Sequence, residues 1–152
     1  MSKKEKVEII DYQLGNLYSV KQACDTVGMN AKLTSKKEDI LNASALILPG
    51  VGAFIEAMNN LNNLDLIDAI KYKVDNGTPI FGICLGLQLL FSKSEEFGSG
   101  SGLKLIPGVI KKFPHKINNK KIKVPHISWN QVYKLKNLWA DTPLHSLKNY
   151  DF

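Results

Sequence analysis

The chain has 152 residues, of which 44% are hydrophobic and 22% charged, so it is long enough for one domain with a hydrophobic core. No apolar run approaches the roughly 20 residues that a membrane span needs, and the charged N-terminus lacks the features of a signal peptide, which predicts a cytoplasmic protein. The net charge is +6 and all 20 basic residues are lysine. The missing arginine argues against nucleic-acid binding, because base and phosphate recognition relies on bidentate arginine.

The first ninety residues alternate predicted strands and helices. Aliphatic and β-branched runs bounded by turn residues mark the strands, and apolar residues at helical spacing mark the helices. The predicted strands lie at 6–12, 31–34, 45–48 and 79–83, and the last of them is expected to be buried. A helix capped by Asn16 and ended by Gly28 follows the first strand, and a short helix with a Ser35–Glu38 capping box follows the second. Further helices are predicted at 53–61, 64–74 and 85–91. This alternation predicts an α/β fold, an open and mostly parallel sheet with helices on both faces.

After the first ninety residues the alternation of strands and helices gives way to short predicted strands. A Gly/Ser loop at 97–102 precedes short predicted strands at 109–113, 120–124 and 131–135, a turn or helix at 141–147, and the start of a strand at 150. The loop lacks the lysine and the strand context of a phosphate-binding loop, and the two cysteines lack metal-ligand spacing. We therefore expect a single domain over residues 1–152, with no cofactor and no metal.

The sharpest motif is Gly82-Ile83-Cys84-Leu85-Gly86, the cysteine version of the nucleophile elbow, between a predicted strand and a predicted helix. A tight strand-to-helix turn pushes the Cys84 side chain out above the sheet, and the flanking glycines let neighbouring backbone approach. The helix directs its positive end at the sulfur, and the N–H of Leu85 points to where an oxyanion would form. A small core cysteine between helix-packing glycines is the alternative, and the strand–helix context favours the nucleophile.

Three other features have two interpretations each. Residues 49–52, Pro-Gly-Val-Gly, leave the same sheet edge and either supply a second oxyanion N–H or form a plain turn. Gln88 lies four residues after Cys84, so both face the same side of the helix, and its amide either binds substrate or is solvated. Cys24 lies on the apolar stripe of the first helix, which favours a core position over a reactive one.

The sequence identifies no general base for Cys84. The three histidines are His115, His126 and His145, and none is followed two residues later by a carboxylate that could orient it. His126 stands out only because Trp129 and Asn130 follow it. No histidine is therefore assigned as the base.

These residues resemble the class I (triad-type) glutamine amidotransferases, and among them the glutaminase subunits of imidazole glycerol phosphate synthase. The matching segments occur in order along nearly the whole chain, and the run at 48–54 is more specific to that subunit than the elbow is. They are Asp11-Tyr12 with Gly15-Asn16-Leu17, Leu48-Pro49-Gly50-Val51-Gly52-Ala53-Phe54, the elbow with Gln88-Leu89-Leu90, Ser94-Glu95-Glu96, Gly108, and Pro125-His126 with Trp129-Asn130.

The resemblance implies a flavodoxin-like α/β fold and a specific chemistry. Cys84 would attack the side-chain amide of L-glutamine, release ammonia and form a glutamyl thioester. Gly52 and Leu85 would offer the oxyanion N–H groups, and Gly50 and Gln88 would bind the substrate.

The resemblance also implies a heterodimer. Ammonia would pass through a tunnel into a (β/α)8-barrel synthase subunit that forms imidazole glycerol phosphate and AICAR in histidine biosynthesis. Tyr12, Asn16, Trp129 and Asn130 would lie at the interface with that partner. No cofactor, nucleic acid or membrane is implied.

Three departures from the family pattern leave alternatives open. Gln13 and Ser128 stand where the family usually has glycine, so a related subunit that supplies ammonia for a surface-polysaccharide sugar is a second pathway. The catalytic H-x-E pair of the family has no counterpart in the sequence. This implies that the C-terminal part of the domain is missing and that the chain is inactive alone, and a truncated, inactive chain that binds the partner is the third alternative.

Overall fold

The structure is a computed structural model that describes residues 5–96, 98–117, 119–132 and 150–151. The chain divides into two compact units, Met1–Lys112 and Phe113–Phe152. The sequence-based expectation of a single domain stays a prediction. Among the described residues, none of the helices combines the length and apolar character that crossing a bilayer requires.

A four-stranded parallel sheet forms the centre of the first unit, with the strand order β2-β1-β3-β4. The strands are β1 (Val7–Ile10), β2 (Ala31–Thr34), β3 (Ala45–Leu48) and β4 (Ile80–Gly82). In register, Ile9 lies opposite Leu33 on β2 and Ile47 on β3, and Leu48 on β3 lies opposite Gly82 on β4. The predicted parallel sheet is thereby confirmed, and β4 ends beside the end of β3.

Helices cover both faces of this sheet, as the sequence predicts. The helices are α1 (Leu17–Thr26), α2 (Lys37–Leu41), α3 (Phe54–Asn63), α4 (Ile67–Asp75) and α5 (Leu85–Leu89). Ile9 and Ile47 pack with Cys24 of α1, whereas their neighbours Ile10 and Leu48 pack with residues of the other four helices. Because successive strand side chains point to opposite faces, α1 lies on one face and α2 to α5 lie on the other.

Three short sheets complete the described elements. In the first unit, β5 (Phe91–Ser94) pairs with β6 (Gly100–Ser101) in antiparallel fashion and with β7 (Ile106–Ile110) in parallel fashion. In the second unit, β8 (Lys116–Ile117) pairs with β9 (Lys120–Lys121), and β10 (Gln131–Val132) pairs with β11 (Tyr150–Asp151). The turn or helix predicted at 141–147 lies outside the described residues.

The predicted ends of α1 are confirmed, but the predicted start of α2 is wrong. Asn16 caps α1 by accepting a hydrogen bond from the Ser19 N–H at 3.3 Å, and Gly28 follows the helix with a φ of +72°. The Ser35–Glu38 capping box does not form. Thr34 at the end of β2 replaces it, because its hydroxyl accepts from the Lys36 N–H at 3.0 Å and donates to an Asp39 carboxylate oxygen at 2.9 Å.

Two other predicted elements differ from the structure. The predicted helix at 64–74 begins only at Ile67, because Asp65 adopts a φ of +54° that no right-handed helix contains. The strand predicted as buried, β4, is half-exposed, and the Phe81 side chain is 63% exposed. The cause is its position, because β4 is the last strand of the four and an open apolar groove lies between it and α1.

Candidate active site

The residue that links β4 to α5 is Cys84, and its backbone conformation is unusual. Its φ is +55° and its ψ is −116°, a region that residues with a Cβ rarely adopt. The Gly86 N–H donates to the Ile83 carbonyl at 3.0 Å and the Gln88 N–H donates to the Cys84 carbonyl at 3.2 Å, so the chain turns into the helix at once. The Cys84 side chain is exposed and its thiol is free. The structure therefore has the strained, outward-pointing cysteine that an elbow requires.

The glycines on either side of Cys84 are required by close backbone contacts. A Cβ at Gly82 would lie 2.6 Å from the Leu87 Cα and 2.8 Å from the Leu87 nitrogen. A Cβ at Gly86 would overlap the Leu48 carbonyl oxygen and lie 2.6 Å from the Leu48 carbonyl carbon. Since real Cβ atoms do not approach backbone so closely, any side chain at either position would displace the turn.

The loop after β3 packs directly against the elbow. The Ile83 N–H donates to the Leu48 carbonyl at 2.9 Å. Gly50 is buried, and a Cβ there would lie 3.0 Å from both the Gly86 nitrogen and the Leu85 Cβ. Beyond this contact the loop turns outward, because Gly52 is exposed with a φ of +97°. The structure thus brings the two predicted suppliers of oxyanion N–H groups, residues 50–52 and Leu85, to one edge of the sheet.

Leu85 and Gln88 occupy α5 as the sequence predicts. Leu85 is the first residue of the helix, so no carbonyl one turn earlier accepts its N–H. Gln88 is half-buried on the turn that follows Cys84, on the same side of the helix. Their roles in oxyanion and substrate binding stay predictions.

Tyr12 lies in the core rather than on a surface. Its side chain is 1% exposed, and its hydroxyl donates to the Pro49 carbonyl oxygen at 2.7 Å. Burial raises the pKa of the Tyr12 hydroxyl, and the negative charge of the Cys84 thiolate raises it further. The expectation that the Tyr12 side chain contacts a partner is not supported, because this side chain is enclosed. The inward hydrogen bond of Tyr12 has no signal in the sequence, since a motif shows which residue is present but not which way its side chain points.

The other predicted interface residues are exposed. Asn16 lies at the start of α1 in the first unit. In the second unit, Trp129 is 86% exposed and Asn130 is exposed beside it. Their exposure is compatible with contacts to a partner, and the interface stays a prediction.

The second unit contains a small polar cluster around His126. Its Nε2 lies 2.9 Å from the Asn130 Nδ2 and 3.3 Å from the Ser128 Oγ, and the Asn130 Nδ2 also donates to the Ser128 carbonyl at 3.0 Å. His115 is exposed, and His145 lies outside the described residues. The described neighbours of His126 are therefore an amide and a hydroxyl, neither of which supplies the negative charge that orients a catalytic histidine. Among the described residues, no three His, Cys, Asp or Glu side chains gather into a group that could hold a metal ion.

Comparisons with known proteins find relatives over most of the chain. The family model of the class-I glutamine amidotransferases matches residues 8–149. An imidazole glycerol phosphate synthase subunit HisH from Moorella thermoacetica is 50% identical over 126 residues, which are 83% of this chain and 58% of the relative. The HisH subunit from Caldanaerobacter subterraneus is 45% identical over 147 residues, which are 96% of this chain and 68% of the relative.

A solved structure gives the same fold. The crystal structure of a glutamine amidotransferase superposes with a TM-score of 0.61 at 24% identity, over 69% of this chain and 55% of that chain. The predicted α/β fold is thereby confirmed. The chain spans 58% of the length of the Moorella relative, so the activity of the whole relative is not carried over directly. On the match over residues 8–149 and the identities to the HisH subunits, the chain belongs to the class-I glutamine amidotransferase family.

Proposed function

We propose that this chain carries the nucleophile and the oxyanion-binding elements of a glutaminase that releases ammonia from L-glutamine. The observation that carries the proposal is the exposed Cys84 at φ +55°, with the loop after β3 packed against the helix that follows it. The site lies beyond the carboxyl ends of β3 and β4, where open α/β sheets bind their ligands. We infer the substrate, the side-chain amide of glutamine, from the family and from the HisH relatives.

In the proposed reaction the Cys84 thiolate attacks the amide carbon and the carbonyl electron pair moves to the oxygen. The N–H groups of Leu85 and Gly52 stabilise this oxyanion, which is the largest single contribution in most acyl transfers. Gly50 and Gln88 hold the substrate beside the elbow. Collapse of the intermediate expels ammonia once a proton reaches the nitrogen, and water then hydrolyses the thioester to glutamate.

The proton transfers require a general acid and base, and the first unit offers no histidine for them. Residues 1–112 include no histidine, and the whole sequence has no H-x-E pair. Collapse toward ammonia needs a proton donor because the amide ion is a very poor leaving group. We therefore propose that this chain provides the groups for acyl transfer and that complete turnover also requires a general base.

We propose further that the ammonia passes to a (β/α)8-barrel synthase subunit, which forms imidazole glycerol phosphate and AICAR in histidine biosynthesis in the cytoplasm. The HisH relatives are named as subunits of that synthase. Asn16, Trp129 and Asn130 are exposed and available for such a contact. A sealed contact between the two subunits would keep the ammonia away from water.

A chain that binds the synthase partner without turning over glutamine is the second candidate. Two large apolar side chains in the second unit, Ile127 and Trp129, are 85% and 86% exposed. Such exposure is typical of a surface that a partner covers.

One experiment separates the two candidates. The chain is produced together with a (β/α)8 synthase subunit, and the burst of p-nitrophenolate from the γ-p-nitrophenyl ester of L-glutamate, which needs no proton donor, is measured for the unsubstituted chain, Cys84→Ala and Cys24→Ala. A chain that carries the nucleophile loses the burst only with Cys84→Ala. A complex that forms but gives no burst with any of the three chains supports the partner-binding candidate. Equal bursts from the unsubstituted chain and Cys84→Ala would remove Cys84 from the mechanism.

A further inference from the structure

Tyr12 connects three parts of the first unit. It follows β1, its hydroxyl donates to the Pro49 carbonyl oxygen at 2.7 Å, and its own carbonyl accepts from the Asn60 Nδ2 of α3 at 3.0 Å. The ring is 1% exposed, so the bond to the Pro49 carbonyl forms away from solvent, whereas the bond from Asn60 is partly buried. Inside a protein such bonds fix geometry, because an unpaired carbonyl there has no water to replace its partner.

The Tyr12 hydroxyl lies at the contact between the loop after β3 and the elbow. A Cβ at Gly50 would overlap this hydroxyl on one side and would lie 3.0 Å from the Gly86 nitrogen on the other. The peptide between Pro49 and Gly50 is planar, so the bond to the Pro49 carbonyl also fixes the direction of the Gly50 N–H. The chain continues from this peptide through Val51 to Gly52, so the peptide plane sets the starting direction of the loop.

The hydroxyl is a permanent donor and lies within electrostatic reach of the nucleophile. Burial raises the pKa of Tyr12, and the thiolate of Cys84 raises it again. Because its pKa is raised, the phenol keeps its proton at neutral pH, so the bond to the Pro49 carbonyl persists while Cys84 reacts.

We propose that Tyr12 is a positioning residue that holds the Pro49–Gly50 peptide against the start of α5 and so fixes the oxyanion-binding loop beside Cys84. The proposal rests on the proposed function, because it assigns the loop its role in binding the oxyanion. It predicts a defect that is confined to reactions in which an oxyanion forms.

Two reagents separate oxyanion formation from thiol reactivity. With the γ-p-nitrophenyl ester of L-glutamate, the Cys84 thiolate attacks the γ-carbonyl carbon, an oxyanion forms, and its collapse expels p-nitrophenolate and leaves a thioester. The leaving anion needs no proton, so a single burst requires no histidine. With iodoacetamide the same thiolate displaces iodide from a saturated carbon, and no oxyanion forms.

Both reagents are applied to the unsubstituted 152-residue chain, to Tyr12→Phe and to Tyr72→Phe as the matched control. Tyr72 is 61% exposed on α4, so its substitution removes a hydroxyl without touching the site. We expect Tyr12→Phe to lower the burst rate constant by roughly tenfold to a hundredfold, since loss of a single direct oxyanion donor costs about a hundredfold to a thousandfold. The rate of Cys84 alkylation by iodoacetamide should change less than about twofold in both variants.

Alkylation of buried Cys24 reports the unfolded fraction in each sample, so the burst rate is normalised to folded chains. An unchanged normalised burst rate in Tyr12→Phe overturns the proposal, and so does an equal loss in the ester and iodoacetamide reactions. Full alkylation of Cys24 in Tyr12→Phe overturns it as well, because Tyr12 would then support only the core. If the unsubstituted chain gives no burst, the proposed function itself fails. If the unsubstituted chain gives a burst and Tyr12→Phe retains it in full, only the role of Tyr12 fails.

Discussion

The two cysteines of the first unit occupy opposite environments. Cys24 lies in the last turn of α1, 6% exposed, and packs with Val7, Ile9 and Ile47 of the sheet. Cys84 is exposed at the end of β4, where the backbone adopts a φ of +55° and begins a new helix. The same side chain is therefore a small apolar core residue at one position and a candidate nucleophile at the other. The difference lies in the backbone and in the neighbouring glycines, not in the thiol.

The comparison predicts a large difference in thiol reactivity. Iodoacetamide should alkylate Cys84 at least about a thousandfold faster than Cys24, because Cys24 reacts only after α1 opens and such opening of core helices costs several kcal/mol. Peptide mass spectrometry after timed alkylation measures both rates in one sample. Denaturation in urea should abolish the difference. Similar rates in the folded chain would mean that α1 does not protect Cys24, and the comparison would then fail.

The second prediction concerns the glycines around Cys84. Gly86→Ala places a Cβ on the Leu48 carbonyl group, which can move only with β3, and we expect it to destabilise the fold by about 3 kcal/mol. Gly28→Ala is the matched control, because a Cβ there meets nothing within 4 Å and only the φ of +72° opposes it. That control should cost about 1 kcal/mol.

Urea unfolding followed by circular dichroism measures both changes in the free energy of unfolding. Equal losses in Gly86→Ala and Gly28→Ala would mean that a Cβ against the Leu48 carbonyl group costs no more than the positive φ of Gly28. In that case the close approach of β3 and α5 would have no energetic role.

The third prediction exchanges sulfur for oxygen at both cysteines. Cys24→Ser buries a hydroxyl among apolar side chains and should cost about 1–3 kcal/mol of unfolding free energy. Cys84→Ser leaves its hydroxyl in water and should change the unfolding free energy by less than about 0.5 kcal/mol. The two midpoints are compared in the same urea titration. A larger loss for Cys84→Ser than for Cys24→Ser would reverse the assignment of the two environments.

The sequence predicts most of the sheet and of the elbow because both depend on local signals. Strand-forming runs, the Asn16 cap and the glycines at 82 and 86 act within a few residues of themselves, and the structure contains them where they are predicted. The parallel sheet follows from their alternation. The family resemblance adds the chemistry to these elements, and the match over residues 8–149 confirms the family.

The features that the sequence does not predict depend on contacts between distant residues. Whether β4 is central or at an edge depends on strand order, so the 63% exposure of Phe81 has no local signal. Thr34 replaces the predicted capping box because its hydroxyl also reaches Asp39 after the chain has turned. Tyr12 points inward because Pro49, 37 residues away, presents a carbonyl to it.

The smallest predicted effect concerns backbone strain, which we compare between Cys84 and Gln13. Gln13 has a φ of +71°. Gln13→Gly should raise the unfolding free energy by up to about 1 kcal/mol relative to Gln13→Ala, because only glycine adopts this φ without a Cβ penalty. Cys84→Gly should exceed Cys84→Ala by a similar amount for the same reason.

Urea unfolding measures, at each position, the free energy of unfolding of the glycine variant minus that of the alanine variant. Since both variants lack the original side chain, this difference reports the backbone strain alone. Glycine at position 13 would stabilise the fold without removing a residue of the proposed active site. Glycine at position 84 would stabilise the fold but remove the nucleophile. Strain at an active site persists because the surrounding structure holds it in place, and here the contacts of Gly82 and Gly86 provide that hold. If Cys84→Gly and Cys84→Ala are equally stable, the φ of +55° stores no energy, and the exposure of the thiol alone distinguishes Cys84 from Cys24.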